Sequence, residues 1–414
     1  MITMRGFEFQ SRLACYRLAV LLALSPGCRR AETPPPAHEA APSVSQAPAS
    51  VEGAAGSARP AATEMETRAR AALDRGLDYL VAQQQTNGVW SNAQFPALSA
   101  LPLWTLSIAK RPQDAEAAAR AERFVAGCAQ PDGGIYVVVP GRRGGALGTY
   151  NTAICMTALH SLGNPAHHPL IRKARTYVAE TQLLGDDEYR GGFGYEKNSR
   201  QPYADLNNTA WALSAMRVTQ DVEETRPPGE PRVDVDWDAA LAFVNKMQLA
   251  SEEANPEDAG GFMYKPADPN KAGVATNAAG RPYLRSYGSI TYSGLLSLIY
   301  AQVERSDPRV VSAVDYARRH WTLDENPGMG LQGLYYYYTI MARSLAATGL
   351  AELPPIEAGG EPIQWREALI AKLITLQQPD GSWVNSNNRF WENDPILATA
   401  YATLAMEYAL DMVK

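Results

Sequence analysis

At 414 residues, with 46% hydrophobic and 20% charged side chains, the chain has the composition to bury one ordinary large core. Its net charge of −6, with no basic stripe or basic low-complexity arm, gives no support for nucleic-acid binding. The five histidines, His38, His160, His167, His168 and His320, have no partners at the spacing a catalytic zinc needs, so no metal is expected.

Taken from the start, Arg5, Arg12 and Arg17 precede the apolar run Leu18 to Leu24, which reads as a secretory signal too short to span a bilayer. Ser25-Pro26-Gly27-Cys28 then resembles a bacterial lipobox, although Leu24 sits one place early and Pro26 is unusual there. Residues 1–28 are therefore expected to be a signal peptide with Cys28 as the lipidated residue; a cleaved soluble export and an uncleaved anchor are the alternatives. Residues 29–63 are rich in Ala, Pro and Ser and bury too little apolar surface to order themselves, so they are expected to be a tether. The address implied is the periplasmic face of a bacterial membrane, as a lipoprotein, or the exterior.

From residue 64 to 414 the sequence repeats itself six times as helix, Gly-rich turn, helix. The first copy runs through Arg75-Gly76, Tyr79-Leu80, Gln84, Gly88 and Trp90 to the apolar run Leu98 to Ala109. The others span 121–162, 174–218, 238–303, 311–348 and 365–410, with turns such as Gly191-Gly192-Phe193 and Gln378-Pro379-Asp380-Gly381-Ser382-Trp383. Such units cannot bury their apolar faces alone and must stack. Aligned, the second helices share a hydroxyl column, Ser99, Thr152, Thr209, Thr291, Thr339 and Thr399. Three residues on runs a column of small residues: Pro102, Cys155, Ala212, Gly294, Ala342 and Ala402. Small residues on one face permit close helix approach. Cys128 and Cys155, in the second copy, either pair in an oxidising compartment or are two buried small residues.

The stretch from Arg75 to Trp90, with Gln84 and Trp90, resembles the repeat of squalene-hopene and oxidosqualene cyclases. QQPDGSW at 377–383, with Gln378 and Trp383, and the Gly-Gly-Phe turns resemble the repeat shared with protein prenyltransferase β-subunits. The resemblance covers about residues 65–412. It implies an all-α fold, an (α/α)6 toroid of six helical hairpins whose second helices line a central cavity and whose Gln and Trp residues tie adjacent hairpins together.

The chemistry of that superfamily is only partly present. Its cyclases protonate an alkene with an Asp-x-Asp-Asp motif, and the matching segment here is Asp205-Leu206-Asn207-Asn208-Thr209-Ala210. Asp205 is kept, whereas Asn207 and Asn208 stand where the proton donor and its companion would be, and an amide has no acidic proton near neutral pH. The prenyltransferase zinc set of Asp-x-Cys and a distant His is missing, as are an Asp-Asp-x-x-Asp diphosphate motif and a Gly-Cys-Gly-Glu-Gln thioester. No cofactor is expected. What remains is an aromatic lining at the starts of the inner helices, with Tyr150, Trp211, Tyr287, Tyr292, Tyr335, Tyr338, Trp391 and Asp394 as candidate ligand contacts. The expected function is an exported, terpene cyclase- or prenyltransferase-like protein that binds or transforms an apolar, isoprenoid-like ligand, held to a membrane by its lipid anchor. The alternative is a non-catalytic scaffold that binds protein or glycan at the cell envelope.

Overall fold

The computed structural model describes residues 63–140, 146–197, 203–266 and 272–413; the expected signal, Cys28 and nearly all of the tether lie outside them. Helices α1 (Glu64–Gln83) and α2 (Ala97–Ala109) form the first hairpin, and α3 (Ala115–Gly127) and α4 (Gly148–Ser161) the second. Helices α5 (His168–Glu180) and α6 (Leu206–Val218) form the third, followed by the short α7 (Gln220–Glu224). The last three pairs are α8 (Trp237–Met247) with α9 (Gly288–Tyr300), α10 (Pro308–Arg319) with α11 (Leu334–Thr348), and α12 (Trp365–Leu376) with α13 (Pro395–Ala409). The first helix of each pair buries one side only; α1 buries the stripe Ala69, Ala72, Leu73, Gly76, Leu77 and Leu80. The second is largely apolar or small and is buried along nearly its whole length, as α9 and α13 are. These inner helices pack in sequence, α2 on α4, α4 on α6, α6 on α9, α9 on α11 and α11 on α13, and α13 packs back on α2. The result is a predominantly helical, toroid-like α/α arrangement.

The two columns have distinct jobs. As the chain leaves each Gly turn its next N–H enters the apolar interior, where an unpaired donor is costly. An inner-helix hydroxyl receives it: Trp90 N–H donates to Ser99 Oγ, Ile135 to Thr152 Oγ1, Phe193 to Thr209 Oγ1, Phe262 to Thr291 Oγ1 and Trp383 to Thr399 Oγ1, at 2.9–3.1 Å. Thr339 differs, donating to the carbonyls of Tyr335 and Tyr401. The small column makes room for the turn aromatic, since a Cβ on Gly294 would lie 2.5 Å from the Phe262 ring.

Glutamines join one hairpin to the next. Gln84 Nε2 reaches Ala117 O of α3, Gln182 reaches Asp236 O before α8, Gln248 reaches Arg309 O of α10, and Gln377 reaches Ala72 O of α1, at 2.8–2.9 Å. The tie in the last turn is therefore Gln377, one residue before the expected Gln378, whose side chain meets only the nearby Leu376 carbonyl at 3.2 Å. Trp90 and Trp383 each donate Nε1–H to their own first helix, at Leu80 O and Leu373 O. Trp383 also packs on the first hairpin: a Cβ on Gly76 would come within 2.6 Å of its ring. Gly381, at φ +90°, backs onto Arg75 O, which a Cβ would approach to 2.5 Å.

One element departs from the all-helical expectation. Strands β1 (Val274–Thr276) and β2 (Pro282–Leu284) pair antiparallel between α8 and α9. The turn is local chemistry that helical periodicity does not carry: Asn277 Oδ1 accepts the N–H groups of Ala279 and Arg281, and Gly280 takes φ +74°. Cys128 and Cys155 are both free thiols and both buried.

Candidate functional site

The N-terminal ends of the inner helices surround a cavity of about 220 Å³. Tyr150 comes to it from α4, Asn207 and Trp211 from α6, Tyr336 from α11 and Tyr401 from α13, with Tyr287 just before α9. The rings form a continuous wall, with Trp211 6.3 Å from Tyr150 and 6.5 Å from Tyr336, and Tyr336 5.7 Å from Tyr401. Tyr336 donates its O–H to Asn207 Oδ1 at 2.5 Å. Burial pushes the Tyr150, Tyr287, Tyr336 and Tyr401 phenols upward, so the wall is uncharged at neutral pH.

At the rim stand Phe390 and Trp391, 41% and 52% exposed, with Trp391 edge-on to Phe95 at 4.9 Å. Both have left-handed backbone, φ +62° and +64°, a cost of about 1–3 kcal/mol for each bulky residue. The turn is pinned by Asn385 Oδ1 accepting Asn387 N–H and by Asn387 Oδ1 accepting Arg389 N–H.

The acid segment is structural. Asp205 is fully buried as the N-cap of α6; its Oδ1 accepts Asn208 N–H at 2.8 Å and its Oδ2 accepts Asn208 Nδ2–H at 2.7 Å. Neither Asp205 nor Asn208 lines the cavity, and only Asn207 does. Burial first, and then the Asp205 carboxylate, push the Tyr203 phenol up to about 12. The carboxyl that does line the cavity is Glu392. Its oxygens accept the N–H groups of Tyr335 and Tyr336 at 3.1 and 2.7 Å and of Asn385 Nδ2 at 2.7 Å, capping α11 from outside. Burial raises its pKa, while these donors pull it back toward the carboxylate.

Four expected ligand contacts are placed elsewhere. Asp394 is the N-cap of α13, accepting Ile396 N–H at 2.9 Å and the Ser91 hydroxyl at 2.5 Å. Tyr292 packs against Tyr337 at 5.9 Å, away from the cavity. Tyr335 and Tyr338, one turn apart on a shared face, send their hydroxyls to Val384 O and Leu323 O. At about 100° per residue the inward member of the tyrosine run is Tyr336, one position off. Sequence reasoning also missed Arg343 and Glu407, buried at 2% and 0% exposure. Their signal was there to read: each is an ionised residue type inside an otherwise apolar inner helix. Among the described residues no group of three His, Cys, Asp or Glu is placed to hold a metal ion, and no helix is long and apolar enough to cross a membrane.

No protein-family model and no curated protein matches the chain. Among solved structures it is similar to the type II terpene cyclase MstE from Scytonema in complex with merosterolic acid A, at 13% identity and TM-score 0.51 over 84% of this chain and 98% of that one. It is equally similar to the α-mannanase from Bacteroides thetaiotaomicron, at 11% identity and TM-score 0.53 over 82% and 96%. An α-1,6-mannanase from Salegentibacter, in complex with α-1,6-mannotriose, follows at 12% identity and TM-score 0.52 over 83% and 100%. The chain thus has an all-α fold of the terpenoid-cyclase-like kind, and this fold is shared by enzymes of unlike chemistry.

Proposed function

We propose that residues 64–414 form a closed (α/α)6 toroid that binds one end of an apolar, isoprenoid-like molecule without protonating it. Closure is supported by the packing of α13 on α2 and by the bond from Gln377 to Ala72 O. The ligand class rests on one observation, the uncharged aromatic wall of Tyr150, Trp211, Tyr287, Tyr336 and Tyr401. A dry cavity of about 150 Å³ takes benzene. One of 220 Å³ admits roughly two isoprene units, and the rest of a longer chain would lie across Phe390 and Trp391. The Scytonema cyclase of the same fold binds geranylgeranyl dihydroxybenzoate. Protonation is disfavoured because Asp205 is a buried cap, Asn207 is an amide and Glu392 is held by three N–H donors. Residues 1–28 would export the chain, Cys28 would carry a lipid, and residues 29–63 would tether the toroid to the membrane.

Incubating the full-length protein with squalene and following products by gas chromatography tests the reading, together with mass spectrometry of lipids carried through purification. Bound apolar lipid and no cyclised product is the expected result. Cyclised products that vanish in Glu392→Gln or Asp205→Asn would overturn the non-protonating site. Absence of both product and bound lipid would favour the envelope scaffold instead.

A further inference from the structure

A second, larger cavity of about 610 Å³ lies at the opposite, C-terminal ends of the inner helices. Trp104 reaches it from α2 and Lys110 from just past that helix, Thr157 and His160 from α4, and Tyr408 from α13, while Ile108 and Val218 supply apolar wall. Among the described residues no carboxylate lines it; the neighbouring Asp221 is engaged by His160 Nε2 at 2.8 Å.

Arg343 lies against this cavity's inner wall. Its guanidinium stacks 5.0 Å from the Trp104 ring, which lines the second cavity, and 4.5 Å from the Trp211 ring, which lines the first. Nη2 donates to Ser214 Oγ at 2.6 Å, the Tyr408 phenol lies close enough for the guanidinium's charge to act on it, and the buried Nε–H has no partner. Among the described residues no carboxylate pairs with it. Glu407, adjacent to Tyr408, is not in ion-pair contact with the guanidinium, and burial pushes its carboxyl pKa well above the usual range. The end of its own helix does not supply the missing charge either: Arg343 stands five residues before Thr348, the end of α11, and the dipole effect is confined to the last turn. Burying a guanidinium without a counter-charge is expensive, and two indole faces answer only part of that cost.

We propose that this cavity is a second binding site, for a short alkyl carboxylate, whose charge is received by the Tyr408 hydroxyl backed by Arg343 and whose chain lies along Ile108 and Val218. The guanidinium's charge beside the phenol favours an anion as the acceptor of the phenol O–H. Lys110 at the mouth adds attraction of the same sign. The site is separate from the apolar one and stands whether or not that reading does.

Titrating the full-length protein with sodium hexanoate and with hexanamide, by calorimetry and by the fluorescence of the flanking tryptophans, tests this. Hexanoate is expected to bind at least about ten-fold more tightly than its uncharged amide, as a charge-assisted contact requires. Arg343→Met and Tyr408→Phe should each erase that preference, and Thr157→Phe, which fills the cavity, should abolish hexanoate binding. Equal binding of the two probes, no binding of either, or a preference that survives Tyr408→Phe would overturn the proposal; Tyr408→Phe decides the matter if Arg343→Met fails to fold.

Discussion

Replacing Thr209 by Val isolates what the hydroxyl column does. Thr209 is fully buried, its Oγ1 accepts Phe193 N–H at 3.1 Å, and it donates to Asp205 O at 2.7 Å. Valine keeps the branched shape but takes the acceptor away, so the Phe193 N–H is left unpaired in the interior. An orphaned buried donor costs about 1–3 kcal/mol, and the lost bond to an already engaged carbonyl adds little. A loss of about 2 kcal/mol is expected, read as a shift of the urea midpoint at constant m-value. Thr339→Val is the internal control, because Thr339 donates to two carbonyls and serves no turn N–H, so its loss should be about 1 kcal/mol or less. Thr209→Val within about 0.5 kcal/mol of wild type, or no milder effect from Thr339→Val, would refute the assignment.

Gln377→Ala removes bonds to Ala72 O and Gly381 O and should lower stability by about 2–3 kcal/mol, whereas Gln378→Ala should stay within about 0.5 kcal/mol of wild type; equal melting temperatures for the two variants would contradict this. Glu407 gives a pH test. Its folded pKa lies above the unfolded value near 4.5, so the folded state holds the extra proton and stability falls as pH rises above that value. Glu407→Gln should therefore gain on wild type as pH rises above about 4.5 in thermal melts, and a gap that does not widen with rising pH would remove the inference.

The repeat, its two columns and the inner and outer roles of the helices were legible because each rests on periodic patterning that one helix writes many times over. Single positions were less so. Gln377 and Gln378 are adjacent and identical, and only the direction of the last turn of α12 decides which reaches Ala72. Four consecutive tyrosines carry no sequence mark for the inward one, since helix rotation is set by packing with α9 and α13. Acids at helix starts, as Asp394 and Asp205 are, serve more often as caps than as cavity acids, and the cap geometry itself appears only with the coordinates of Ile396 and Asn208. Glu392 acts from a different segment, capping a helix that begins 58 residues earlier, at Leu334, which no local pattern announces.

The join between α12 and α1 has a consequence for how such a chain can be rearranged. Gln377 on Ala72 O and Gly381 against Arg75 O repeat the parts that join α1 to α3, where Gln84 meets Ala117 O and Gly88 backs onto Arg120 O. An open repeat array needs specialised terminal units to cover its exposed faces. Here the last hairpin meets the first with the same parts that neighbouring hairpins use. A circularly permuted gene that breaks the chain within the exposed segment 227–232 and fuses the old ends would retain every one of these joints.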